Sequence, residues 1–238
     1  MYTLDEVVPW GRSLEEYRRM FALSSDELAR ARILGCADGP ASFNAELTAA
    51  GGRVVSMDPL YAFDAAAIGS RVDEVFDTVM AQTLDNLDEF VWGPVVADPD
   101  HLARLRRGAM DRFLADYPAG RAEGRYVEGE LPALPFADGE FDIAVCSHFL
   151  FLYTRQVSFE IHLASLEELC RVAAEVRVFP LLQLGAVPSP HLEGVLAAID
   201  RRPDLTARVE TVDYEFQRGG NQMLRLTRPS SLLAPAPG

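Results

Sequence analysis

The sequence contains no lysine: all 22 of its basic residues are arginine. Schiff-base catalysis and a lysine-bearing phosphate loop are therefore excluded. Cysteine is scarce as well. Three residues, an odd number, cannot supply a disulfide framework, and the expected setting is a reducing cytoplasm. No uninterrupted apolar run approaches the roughly 20 residues of a membrane span, and mean hydropathy is +0.02. The opening residues Met1 to Glu6 lack the basic and apolar regions of a signal peptide. Basic charge is in deficit too. With 36 acidic residues the formal net charge is −14, which argues against a nucleic-acid partner. His, Cys and Asp form no cluster at metal-ligand spacing, so no metal is expected.

What the sequence does have is the punctuation of a βαβ unit. Ala31 to Leu34 reads as a short apolar strand that turns through Gly35 and Gly39 and enters a helix over 41–47. A strand, a glycine turn and a helix bring backbone N–H groups to a sheet edge, where a small ligand can approach closely. A second strand, 53–58, ends in the carboxylate of Asp58, 23 residues beyond Gly35. That spacing suits an acid that accepts hydrogen bonds from a ribose diol.

The remainder extends this pattern into one α/β domain over 1–238 with a mostly parallel sheet. Residues 1–30 are a helical lead-in, in which Ser13-Leu-Glu-Glu16 has the form of a capping box for a helix over 14–22. Trp10, Tyr17 and Phe21 read as a packing face with Arg12 solvated. That reading is preferred to one in which Arg12 and Tyr17 fold over the ligand and meet a carboxylate. Residues 60–124 read as a helical insertion covering the site, with helices over 64–81 and from Asp98 onward. Arg104, Arg106, Arg107 and Arg112 lie off the apolar stripe of the second helix and read as a solvated face. Strands follow at 125–128, 141–146 and 174–179, with helices at 158–172 and 191–200. A hairpin of 205–216 and 223–227 turns at Gln217 to Asn221, and 229–238 is a flexible tail.

The first turn rejects a dinucleotide. Gly35, Ala37 and Pro40 occupy the three glycine positions of Gly-x-Gly-x-x-Gly, so one of three matches. A ligand with a ribose and a base but no pyrophosphate remains.

Three blocks, in order from about 31 to 153, resemble class I S-adenosylmethionine-dependent methyltransferases, in a bacterial branch. They are Ile33-Leu-Gly-Cys-Ala-Asp-Gly39, Val54-Val-Ser-Met-Asp58, and Gly129-Glu-Leu-Pro-Ala-Leu-Pro-Phe-Ala-Asp-Gly-Glu-Phe-Asp142. The resemblance implies a Rossmann-like three-layer sandwich whose seven-stranded sheet is mostly parallel, with an antiparallel C-terminal hairpin strand beside the fifth. It implies S-adenosylmethionine as cofactor, with Gly35, Cys36, Ala37, Asp38 and Gly39 at its methionyl end. Asp58 and Pro59 then lie at the ribose, Glu130 at the adenine amino group with the Leu131 amide facing the ring, and Ser147 completes the set. This chain departs from the pattern at Ile33, where an acid is usual, at Ala37 in place of glycine, and at Glu130 in place of aspartate.

The implied reaction is methyl transfer to a small molecule, with His148, just past the fourth strand, as general base or positioning group. A loop histidine held by hydrogen bonds is the competing view of His148. Tyr153 reads as packing, His162 as structural, and Cys36 with Cys146 as two buried reduced thiols on neighbouring strands. Two other functions stay open: a non-catalytic S-adenosylmethionine or S-adenosylhomocysteine binder, and an NAD-dependent oxidoreductase. The acceptor and the oligomeric state are not legible.

Overall fold

A computed structural model describes residues 8–228. The expectations for the leader at Met1 to Glu6 and for the tail 229–238 lie outside the described residues. Seven strands form one sheet: β1 Arg32–Cys36, β2 Arg53–Met57, β3 Tyr126–Val127, β4 Phe141–Ser147, β5 Ala173–Phe179, β6 Thr206–Thr211 and β7 Gln222–Thr227. Their order is β3-β2-β1-β4-β5-β7-β6. The first five are parallel, and β7 runs antiparallel between β5 and β6. This is the Rossmann-like arrangement expected. The chain leaves β1 toward β2 on one side and returns to β4 on the other, so a crevice opens at the carboxyl ends of these strands.

Alternation along the central strands divides the core into two faces. Ile33, Ile143 and Val145 point into a cluster with Tyr17, Met20, Phe21, Phe43 and Leu47, from helices α1 Leu14–Met20 and α3 Phe43–Ala49 and their flanks. Leu34, Cys36, Ala144, Cys146, Val176 and Val178 point the other way, onto Leu166 and Leu169 of α6 Phe159–Val172 and Val195 of α7 Leu192–Asp200. Cys36 and Cys146 are register partners, both buried and both free.

The lead-in holds two helices rather than one. α1 ends at Met20, and a six-residue helix, α2 Ser25–Arg30, follows with its own capping box of Ser24 and Glu27. Ser24-Ser-Asp-Glu27 carries the same Ser-x-x-Glu signal that starts α1. The insertion between β2 and β3 consists mainly of α4 Ala65–Asp85 and α5 Pro99–Ala122, which pack on each other. Ile68 and Val72 of α4 meet Met110, Phe113 and Tyr117 of α5 in a third apolar cluster that includes Tyr61 and Tyr126. None of the helices among the described residues is long and apolar enough to cross a membrane.

One arginine of α5 overturns the solvated-face expectation. Arg104 and Arg112 are exposed, but Arg106 is completely buried, and NH1 and NH2 each donate to a Glu16 oxygen at 2.7 Å. Helical spacing shows which face a residue lies on. It does not show that a carboxylate from α1 waits there.

Candidate functional site

The crevice is a cavity of about 500 Å³, within the usual range for small-molecule sites. Its floor is the turn after β1. Ala37 and Gly39 both adopt left-handed backbone conformations, with φ of +56° and +52°. Between them the chain folds Asp38 back beneath the strand, where its carboxylate accepts hydrogen bonds from Tyr17 at 2.8 Å and Ser56 at 2.6 Å. Gly35 makes room for it: a Cβ there would stand 1.8 Å from Asp38 Oδ2. Burial pushes the Asp38 carboxyl up to about 7, with the nearby Asp58 charge adding to the rise while Ser56 and Tyr17 oppose it.

Asp58 ends β2 and caps the short 3₁₀ turn Pro59–Ala62. Its Oδ1 accepts from Leu60 N and its Oδ2 from Gly39 N, each at 2.8 Å, so one carboxylate ties the two βα turns together. Each oxygen retains acceptor capacity for a ligand hydroxyl. Burial raises this carboxyl to about 6, against the pull of those two N–H groups. The wall beside it is open to close approach, since a Cβ on Gly39 would meet only Asp58 Oδ2, at 4.0 Å.

Glu130 and Leu131 line the same cavity from the loop after β3. Arg171 of α6 anchors that loop from behind, donating to the carbonyls of Leu134 at 3.2 Å and Phe136 at 2.8 Å. Opposite, β4 delivers Ser147 and His148. The imidazole Nδ1 lies 2.9 Å from Ser147 Oγ, the His148 amide donates to Phe179 O at 2.7 Å, and the ring meets Phe179 edge-on at 5.4 Å. His148 adopts φ of +51°, a left-handed conformation at the mouth of the site. Burial, reinforced by the charges of Arg12 and Arg106, holds its pKa well below that of free imidazole, so the ring is neutral at pH 7.

The lead-in completes the wall. Tyr17 reaches Asp38, and Arg12 lines the cavity with its guanidinium NH1 donating to Trp10 O at 3.1 Å. The expectation of a solvated Arg12 and a purely packing Tyr17 is therefore corrected: Tyr17 holds α1 against the β1 turn through the Asp38 carboxylate, and Arg12 lines the cavity. Below them Glu16 serves three partners. It completes its own capping box with Ser13 N at 3.0 Å, pairs with Arg106, and accepts from Tyr214 at 3.0 Å. Burial would raise the Glu16 carboxyl, yet Arg106 and the other donors hold it down at about 2.

Of the expected site residues, Ala37, Asp38, Gly39, Asp58, Pro59, Glu130, Leu131, Ser147 and His148 line this cavity. Gly35 and Cys36 do not: they are β1 residues inside the sheet, and burial pushes the Cys36 thiol well above its ordinary pKa. Tyr153 is buried yet also on the wall, its hydroxyl accepting from Val8 N at 3.3 Å. His162 is buried away from the cavity, its Nδ1 2.8 Å from Ser158 O. Phe179, Tyr214, Phe216 and Phe90 were not anticipated at the site. No local pattern marks them, because they arrive from β5, the hairpin and the insertion.

No family model matches the chain. Among curated proteins, the uncharacterized protein MJ0045 of Methanocaldococcus jannaschii is 33% identical over 227 residues, covering 94% of this chain and 98% of that one. The chain belongs to the MJ0045 family. The relative is archaeal and gives no support to a bacterial branch. Among solved structures, magnesium protoporphyrin IX methyltransferase of Synechocystis PCC 6803 with bound SAM is similar over 86% of this chain and 73% of that one, at 12% identity and a TM-score of 0.42. A SAM-dependent methyltransferase of Aquifex aeolicus is similar over 82% of this chain and 80% of its own, at 16% identity and a TM-score of 0.37. Likeness at these scores carries no inference about chemistry, which has to come from the site of this MJ0045-family member itself.

Proposed function

We propose that this protein is an S-adenosylmethionine-dependent methyltransferase acting on a small molecule. The observation that carries the reading is Asp58. It ends β2 at the cavity, is fixed by Gly39 N and Leu60 N, and shares the cavity wall with Glu130 and Leu131. An acid at that position suits a ribose diol, and Glu130 with Leu131 suits the edge of an adenine. Gly39, with no Cβ and open space in front of it, suits the close approach of a ligand to the turn.

Held by Asp58, Glu130 and the turn at Gly39, S-adenosylmethionine would supply an electrophilic methyl group on a sulfonium, with a neutral thioether as leaving group. The chain's task is to hold the acceptor in line, exclude water and take up the proton the acceptor releases. His148 suits the last role. In the tautomer whose Nδ1 proton is donated to Ser147 Oγ, 2.9 Å away, Nε2 carries a free lone pair. Its lowered basicity is adequate for a proton that becomes strongly acidic as the acceptor is alkylated. Enclosure in about 500 Å³ favours a small molecule over a macromolecular acceptor. Three buried free cysteines accord with a cytoplasmic setting.

A non-catalytic binder of the same ligand is favoured by one observation. Ala37 holds a left-handed conformation that glycine would adopt without strain. Calorimetry with S-adenosylhomocysteine and with NADH tests the cofactor: binding of NADH alone overturns the proposal. Release of labelled methyl to any acceptor then separates the enzyme from the binder.

A further inference from the structure

Arg12 is, among the described residues, the only arginine on the cavity wall. Among the described residues no carboxylate pairs with it. NH1 is satisfied by the Trp10 carbonyl, whereas the buried Nε has no acceptor at all. Glu16, the carboxylate whose charge it feels, is already committed, with both oxygens held by Arg106 and one of them also by Tyr214. Two guanidiniums, that of Arg106 fully buried and that of Arg12 partly so, thus share one carboxylate, and the positive charge left over faces the cavity. A cation partly withdrawn from water without a counter-ion is costly, and the group that best completes a guanidinium edge is a carboxylate, which accepts two parallel N–H bonds.

The surroundings of Arg12 point to the same chemistry. On the same wall stands Tyr17, bonded to Asp38 of the turn after β1. The cavity also has an aromatic wall, in which Phe179 meets Tyr214 edge-on at 5.7 Å and Phe90 stacks on Phe216 at 4.8 Å. These rings offer flat apolar surface to a planar ligand. No second arginine is available along this wall, so the site is suited to one anionic group rather than to a polyphosphate.

We propose that Arg12 is the carboxylate-binding residue of the cavity, a role outside the three sequence blocks that suggest the cofactor. The identity of the carrier rests on the methyltransferase reading. The carboxylate belongs either to the amino-acid end of S-adenosylmethionine or to a planar aromatic acid serving as methyl acceptor.

Calorimetry on the full chain distinguishes the two sources. In the first arm, S-adenosylmethionine is compared with its decarboxylated analogue. In the second, protein saturated with S-adenosylhomocysteine is titrated with benzoate and indole-3-carboxylate, and with benzamide and indole-3-carboxamide as neutral partners. The expected result is a preference of about tenfold or more for the carboxylate in one arm. Arg12→Gln abolishes it and Arg12→Lys, which keeps the charge but loses the fork, restores it in part. Folding of both variants is followed by thermal melting, and the wild-type preference stands as a test even where a variant fails to fold. Equal affinity for charged and neutral ligands in both arms overturns the proposal, as does a preference that survives Arg12→Gln. Aromatic acids that fail to bind below about 1 mM, together with no preference in the first arm, overturn it too. If neither S-adenosyl compound binds, the methyltransferase reading falls. The second arm, repeated on ligand-free protein, then decides the carboxylate site alone.

Discussion

Tyr17 donates its phenolic hydrogen to Asp38 Oδ1 at 2.8 Å, fastening α1 to the turn after β1 across 21 positions of sequence. Both groups are buried, and Ser56 is the other donor to the same carboxylate. Tyr17→Phe removes one of the two donors while keeping the ring that stacks on Phe43 at 4.3 Å. The expected loss of stability is about 1–3 kcal/mol, the scale for leaving a buried carboxylate short of a partner. Urea denaturation measures it, and an unchanged midpoint would show the bond to be dispensable.

Asp38 also predicts an unusual pH dependence. Its carboxyl ionises near 7 in the folded chain, against about 3.9 when unfolded. Between those values the folded state keeps a proton that the unfolded chain has released, so stability falls as pH rises. The contribution is full below about pH 4 and is lost on passing through about 7; Asp58 behaves alike up to about 6. His148, whose pKa is lowered, works in the opposite sense over part of the same range. The clean measurement is therefore a difference. The melting temperature of wild type relative to Asp38→Asn should decline from pH 4 to pH 8, and a flat difference would refute the assignment.

Asp58→Ala is expected to weaken S-adenosylhomocysteine binding by about 1–3 kcal/mol, through loss of hydrogen bonds to a charged acceptor. It also releases Gly39 N and Leu60 N. Asp58→Asn, which preserves one acceptor oxygen, should lose less. Titration calorimetry gives both values, and an unaltered dissociation constant would place the ribose elsewhere.

The buried pair of Arg106 and Glu16 joins α5 to α1. Arg106→Met strips buried Glu16 of its bidentate partner, leaving only the more distant charge of Arg12, and should cost about 3–5 kcal/mol. Adding Glu16→Gln removes that stranded charge, so the double variant should recover part of the loss. Denaturant melts of the two single variants and the double close the cycle. Simple additivity would mean that the pair is not coupled.

Gly35→Ala puts a methyl group where the Asp38 carboxylate lies, with a Cβ only 1.8 Å from Oδ2. The carboxylate must leave Tyr17 and Ser56, and a loss of at least about 1–3 kcal/mol follows. Alanine at Gly39 meets no such neighbour, and its cost is the strain of a left-handed residue, about 1–2 kcal/mol. Comparing the two thermal melts tests whether Gly35 is required for space rather than for conformation.

Much of the fold was legible because its determinants are local. Apolar strands, the capping box at Ser13 and a proline at the start of α5 each carry their meaning within a few residues. The Gly35 to Asp58 spacing likewise located the carboxylate at the end of β2. The residues that escaped are those whose role depends on a distant partner. Arg106 lies off an apolar stripe on any helical wheel, and only the approach of Glu16 from α1 makes it an interior residue.

The sequence by itself determined the layered α/β architecture, the glycine turn and the acid that follows it. Periodicity and turn chemistry are properties of neighbouring residues, and they survive without any knowledge of packing. Only the tertiary structure decided that Asp38 is buried beneath β1, that Gly35 and Cys36 stay inside the sheet, and that Arg12, Tyr17, Phe179 and Tyr214 converge on one cavity. Such convergence is set by which surfaces exclude water together. That is a property of the folded chain as a whole, and no short stretch of sequence encodes it.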